Sequence, residues 1–249
     1  MERFREVLLN ATEHTVVVSS EAFQNCSPKA VRHYLRDLDV YPVCYIREQS
    51  AYLRSAYSQR IQASYYRGSV QQYYRKFFHG DYLRFIKKWQ GVFGENLLVR
   101  RFERDKLVQG DAVHDFLSAV LKLEPQQCDS LQLPAQENPS LSALMLSFKQ
   151  RLNREGYLLD PKIYRLLTAL DSSDSAPYQL PADLENRVRG AFRRSNQSVA
   201  RQFFQEEELF NLPDSPAAVS VPELEDSAFL ELLEKFDKEA PGCIRSVLS

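Results

Sequence analysis

Apolar and polar positions along this chain follow two periods, and the switches between them outline its elements. Phe4, Val7, Leu8 and Ala11 fall on one side of a helix drawn over residues 2–11. Residues 15–19, TVVVS, form a short β-branched run of the kind that makes buried strands. Ser27-Pro28 supplies a capping serine followed by proline at the first helical position, and predicts a helix to about Leu38. Residues 40–46, VYPVCYI, read as a second strand, with Pro42 making its start irregular. Helices are expected over 48–63, between Gly68 and Gly80, and over 81–93 with Trp89 on the apolar face. The turn GEN precedes a third strand, LLVRRF, and Gly110-Asp111 opens a helix over 112–123.

Helix and strand thus alternate through the first half, which argues for an α/β fold with a parallel sheet flanked by helices. Pro, Gln and Ser collect between Glu124 and Ser140 and mark a linker or long loop. Helical patterns follow over 141–154, 161–170 and 181–204. From residue 213 the chain is acidic, with one helix near 227–236. The expected organisation is an α/β domain over 1–212, helical from about 141, and an acidic tail over 213–249.

Composition changes this picture little. The chain has 249 residues, 44% hydrophobic and 26% charged, with a net charge of −1. These values fit an ordinary globular chain and point to no partner by themselves. The distribution is more informative. Residues 31–104 carry fourteen Lys/Arg against six Asp/Glu, while 205–239 carry eleven Asp/Glu against two Lys. A basic block of this kind attracts anionic ligands or is simply a solvated helix surface. The acidic tail is read as solvated, or as touching the basic block or a partner. The four cysteines and four histidines have no ligand spacing, so no metal site is expected. There is no signal-peptide pattern and no apolar run long enough to span a bilayer, so a cytoplasmic protein with no membrane span is the expectation. RRFER is too short a basic run to suggest nucleic acid. Oligomeric state is not legible.

The candidate chemistry centres on CYIREQSAYLRSAYSQ, residues 44–59. In open parallel sheets, ligands sit beyond the carboxyl ends of the strands. Arg47 follows such an end, and positions 47, 51 and 55 share one face of the helix after it. An arginine grips a phosphate through two parallel N–H bonds, a serine hydroxyl adds a third, and the helix N-terminus adds positive potential. Arg47 and Ser55 are therefore candidates for a phosphate clamp. The alternative is an arginine closing the sheet edge and a serine packed on a neighbour. The tyrosine pairs of ASYYRGSVQQYYRKFF line an acceptor cleft or, more plainly, sit half-buried on helix faces.

Several stretches in order resemble the sulfotransferase family, especially the bacterial sulfotransferase-like proteins associated with surface polysaccharides. They are VVVSSEAF, VYPVCYIREQSAYLRSAYSQ, FGENLLVRRFERDKLVQGDAVHDFL, NPSLSALMLSFKQRLN and FRRSNQSVARQFF, together spanning about 16–210. The resemblance implies a P-loop-type sulfotransferase fold. It implies that Arg47 and Ser55 hold the 3′-phosphate of 3′-phosphoadenosine 5′-phosphosulfate (PAPS), the sulfate donor. It makes Glu21 the candidate base, with Ser19 and Ser20 as helpers, and Arg193 and Arg194 candidates for further donor contacts. The acceptor is a hydroxyl of a glycan or similar molecule. One departure stands out. The family's loop for the 5′-phosphosulfate needs small residues and a lysine, yet no glycine precedes Gly68 and no Walker-type pattern occurs. The match begins downstream of that loop, so a fold truncated at its N-terminus and weak or absent turnover are expected. A non-catalytic remnant acting as a binding or interaction module is the alternative.

Overall fold

The computed structural model describes residues 2–129, 131, 141–160, 163–171, 176–212 and 224–245. In chain order the helices and strands are α1 Glu2–Leu9, α2 Pro28–Tyr34, β1 Val43–Ile46, α3 Gln49–Ala63, α4 Val70–Phe77, α5 Tyr82–Phe93, β2 Leu98–Arg101 and α6 Ala112–Asp115. They continue with α7 Pro125–Asp129, α8 Ala143–Glu155, β3 Leu158–Leu159, α9 Ile163–Leu170, α10 Ala182–Val199, α11 Asp226–Glu239 and β4 Ile244–Arg245. The protein is mixed α/β, mostly helical, with a small parallel sheet of two strands.

Two compact units are interleaved along the chain. The first comprises Met1–Arg47, Asp81–Leu131 and Arg194–Phe210. Its sheet pairs β1 with β2 in parallel, with Val43 opposite Leu98 and Ile46 opposite Arg101. Ile46, Tyr82, Ile86 and Val99 are buried with Val199, Leu209 and Phe210 in one apolar cluster. α5 holds its place in that cluster because Tyr82, Ile86, Trp89 and Phe93 recur every three or four residues. Its start is capped by Asp81, whose side chain accepts from the Arg84 amide.

The second unit comprises Glu48–Gly80, Gln132–Arg193 and Asn211–Ser249. Leu53, Tyr57 and Ile61 of α3 are buried with Leu146 of α8 and with Tyr178, Leu184 and Val188. A second cluster joins Phe148 and Leu152 of α8 to Leu167 of α9 and to Phe229 and Phe236 of α11. α8 ends on Gly156 at φ 83°, ψ 20°, a left-handed C-cap that glycine adopts without steric penalty. The chain then turns into β3, which pairs antiparallel with β4.

Three sequence expectations need correction. Thr15–Ser19 is not a strand, and Val16, Val17 and Val18 are 42–51% exposed. A β-branched run forms a strand only where a neighbour completes its hydrogen-bond ladder, and this run pairs with none among the described residues. α2 stops at Tyr34, and a turn over residues 35–38 replaces its expected last turn. The described part of the acidic tail is not a solvated segment. Phe229 and Phe236 of α11 are 2% and 0% exposed, so its apolar face outweighs its charge as a guide to position. The linker expected over 124–140 falls largely outside the described residues, as do 161–162 of one expected helix and 213–223 of the tail.

Candidate functional site

The first unit places Arg47 directly after the carboxyl end of β1. The Phe102 amide donates to the Ile46 carbonyl at 2.7 Å, so the two parallel strands end level. The Arg47 guanidinium lies 5.5 Å from the centroid of the Phe102 ring, a cation–π pair across those ends. Tyr82 of α5 donates its hydroxyl to the Arg47 carbonyl at 2.5 Å, which fixes the backbone of this corner. Arg47 thus stands at the edge where open parallel sheets present ligands.

An ion network around one buried carboxylate draws on the same two strands. Tyr45 and Arg100, opposite each other in the ladder, both reach Asp115 at the end of α6. Tyr45 donates at 2.7 Å and Arg100 Nε at 2.9 Å, Arg100 Nη2 closes the second arm, and the Val108 amide donates at 3.0 Å. Burial pushes the Asp115 carboxyl up, but the hydrogen bonds from Arg100, Tyr45 and Val108 and the guanidinium charge outweigh it and hold the carboxyl below its usual range. Burial and the adjacent carboxylate push the Tyr45 phenol up, so it stays a donor. Burial also raises the Cys44 thiol to about 12, which makes it a poor nucleophile. Arg101 pairs with Glu206 through two 2.6 Å bonds and stacks on Phe204.

Glu21 belongs to the same unit. It opens a short 3₁₀ turn, Glu21–Asn25, capped by Ser20, whose hydroxyl accepts from the Ala22 amide at 3.2 Å. Glu21 is exposed, as is Ser19.

In the second unit Ser55 is exposed on α3. The start of α3 is closed by Glu48, whose carboxylate accepts from the Ser50 amide at 3.0 Å and the Ala51 amide at 2.9 Å. The positive helix end expected to help a phosphate is therefore already occupied by a carboxylate. The chain boundary between units falls between Arg47 and Glu48, and another falls between the exposed Arg193 and Arg194. The structure thus assigns Glu21, Arg47 and Arg194 to the first unit and Ser55 and Arg193 to the second. The tyrosines near 57–74 are mainly structural. Tyr66, Tyr73 and Tyr74 are partly buried against the α3 cluster, and only Tyr65 is more than half exposed.

Two residues of chemical interest escaped the sequence reading. Asp115 lies in an ordinary VHDF stretch, and nothing local marks its carboxylate as buried. Lys149 of α8 is 2% exposed and donates to the Ile61 carbonyl at 3.0 Å, the Ser64 carbonyl at 3.2 Å and Asn153 Oδ1 at 2.6 Å. It thus closes the carbonyl end of α3, where the helix dipole favours a cation. Burial nevertheless lowers its pKa to about 8. Among the described residues no three His, Cys, Asp or Glu converge as metal ligands, and no helix is long and apolar enough to cross a membrane.

No protein-family model matches the chain, and no solved structure matches it. It is similar to an uncharacterized protein of Archaeoglobus fulgidus, 29% identical over 208 residues. The match covers 80% of this chain and 56% of the archaeal protein, so the chain spans little more than half of that relative's length.

Proposed function

We propose that the chain is a sulfotransferase-like protein that binds PAPS through the junction of β1, Arg47 and α3. It would move the sulfuryl group to a hydroxyl of a glycan or similar acceptor. One observation carries the reading: Arg47 stands at the carboxyl end of a parallel strand pair, and the next element is the helix bearing Ser55. The P-loop-type framework belongs to the same proposal.

In this reading Arg47 and Ser55 hold the donor's 3′-phosphate. The acceptor oxygen attacks sulfur in line as the bond from sulfur to the bridging phosphate oxygen breaks. Glu21 receives the acceptor's proton, and 3′-phosphoadenosine 5′-phosphate leaves with the electron pair. Arg193 and Arg194 would make secondary donor contacts.

A second reading, a non-catalytic binding module on the same framework, is favoured by Glu48. Its carboxylate already holds the first free amides of α3, and a second anion there would meet like charge.

Calorimetric titration with 3′-phosphoadenosine 5′-phosphate tests the first reading. Saturable binding by the wild type, weakened about tenfold or more in Arg47→Ala, is the expected result. No binding by the folded wild type overturns the PAPS reading and favours the binding module. Transfer of labelled sulfate from PAPS to a glycan acceptor then separates enzyme from module.

A further inference from the structure

We infer that an open basic trough in the second unit binds single-stranded nucleic acid, its aromatic rings stacking on bases and its cations holding phosphates. The trough, of about 560 Å³, lies between the end of α3 and α4 and is lined by Arg60, residues 64–68, Gln72, Lys76 and Phe77. It is independent of the Arg47 junction and of the sulfotransferase reading.

The first observation is charge without compensation. Between Glu48 and Asp81 the chain carries five Lys/Arg and no Asp or Glu. Three of the five, Arg60, Arg67 and Lys76, line the trough, and among the described residues no acidic side chain does. All three are exposed, and none forms an ion pair or donates a side-chain hydrogen bond among the described residues. Arg67 lies against Gly156, with its Nη2 3.7 Å from where a Cβ would stand, so no side chain at that position answers its charge. Other cations of the unit are engaged: Arg151 with Glu155 and Asp226, Arg189 with Glu185, and Lys149 with the carbonyl end of α3. The free cations are scattered in sequence and meet only where α3 turns into α4, so no basic run announces them.

The second observation is that two rings beside these cations are held in place and yet uncovered. Phe77 is 45% exposed, although Tyr66 packs edge-on to it at 6.1 Å, Tyr73 lies 5.7 Å away and the Arg60 guanidinium stands 5.7 Å from its centroid. Tyr65 is 52% exposed, although its hydroxyl accepts from the Leu159 amide at 3.3 Å and the Lys149 ammonium lies 5.7 Å from its ring. Both rings line the trough. Fixed aromatic platforms in a basic groove are what a single strand needs: every base offers a flat face, and the backbone follows the cations. A duplex keeps its base faces stacked away from such rings, and an anionic polysaccharide brings charge without flat bases. Most of the lining residues are exposed, so the trough is open, as a strand passing across it requires.

The test is fluorescence anisotropy of labelled oligothymidylate and oligouridylate, each of about twelve nucleotides, titrated with the full chain at about 50 and about 200 mM salt. The expected result is saturable micromolar binding at the lower salt, weakened about twentyfold at the higher, as three neutralised phosphates on a single strand dictate. Arg60→Gln combined with Arg67→Gln should weaken binding and flatten the salt effect to about threefold. Phe77→Leu should weaken binding about fivefold or more at both salts and leave the salt effect unchanged. Near-UV circular dichroism checks that each variant is folded. Lys76→Gln, which removes an ammonium with no bond among the described residues, gives an independent reading: a salt effect of about sevenfold. If only one of the two oligonucleotides binds, the proposal stands and the preferred sugar is identified. No binding by folded wild type at the lower salt overturns it. So does a duplex of the same length binding equally well, or heparin binding where both oligonucleotides fail, which would assign the trough to an anionic polysaccharide. Binding that Phe77→Leu leaves intact overturns it too.

Discussion

Tyr45 and Arg100 face each other across the two parallel strands, and both bind the same buried carboxylate of Asp115. That carboxylate ties the segment after β2 back to the sheet through three hydrogen bonds, and a fourth comes from the Val108 amide of its own segment. Asp115→Asn should destabilise the protein by about 1–3 kcal/mol, because the half-buried Arg100 loses its charged partner and the amide cannot accept all four hydrogen bonds. Urea unfolding measures this. Tyr45→Phe should cost only about 1 kcal/mol, the net worth of one hydrogen bond.

The same group sets an acid limit. The Asp115 pKa is lowered in the folded state, so its contribution is present above the unfolded carboxylate's pKa and is lost as pH falls through the folded value. Wild type should therefore lose stability faster than Asp115→Asn as pH drops below about 4. Parallel curves for the two proteins would refute this.

Lys149 gives a slope of the same sign at alkaline pH. Its folded pKa of about 8 lies below that of a free lysine, so the unfolded chain binds more protons between there and about 10.4. Stability should rise with pH across that window, relative to a Lys149→Met variant measured in parallel. A flat difference between the two Tm curves would show that the ammonium is not desolvated.

Glu48 gives a two-sided prediction. Glu48→Ala removes a helix cap and should cost about 1 kcal/mol. It also frees the Ser50 and Ala51 amides, so affinity for 3′-phosphoadenosine 5′-phosphate should rise if that nucleotide binds at the head of α3. Loss of affinity in a stable variant would place the phosphate elsewhere.

Phe236 is fully buried against Phe148, with ring centroids 5.0 Å apart. Phe236→Ala should cost about 3–5 kcal/mol through the cavity it leaves. By contrast Val17→Thr, on an exposed segment, should change stability by less than about 0.5 kcal/mol. Both follow from thermal or urea denaturation.

The sequence disclosed β1 and β2 because VCYI and LVRR are apolar-led runs bounded by turn signals, and these persist whatever surrounds them. It disclosed α5, α8 and α10 because each carries a helical period, whereas α3 lacks one and is legible only as a run of helix-tolerant residues over 48–63 without glycine or proline. TVVVS misled because propensity describes what a segment tolerates, whereas pairing depends on a distant neighbour. The site was less legible. Arg47 was found through its place after a strand, but Phe102 and Tyr82, which hold it, are 55 and 35 residues away in sequence. Glu48 is not among the residues that usually cap a helix, so its closing of α3 shows only in the structure. Asp115 and Lys149 are defined by burial, which composition does not report for single polar residues.

The position of α11 has a practical consequence for handling this protein. Its acidic, proline-flanked approach invites trimming near residue 212, as if the remainder were decoration. Phe229 and Phe236 instead form one wall of the α8–α9 cluster, and β4 supplies the only ladder partner of β3 among the described residues. A protease or an expression boundary that removes this segment would uncover an apolar floor and a bare strand edge together. The shortened chain should then self-associate rather than simply lose its tail.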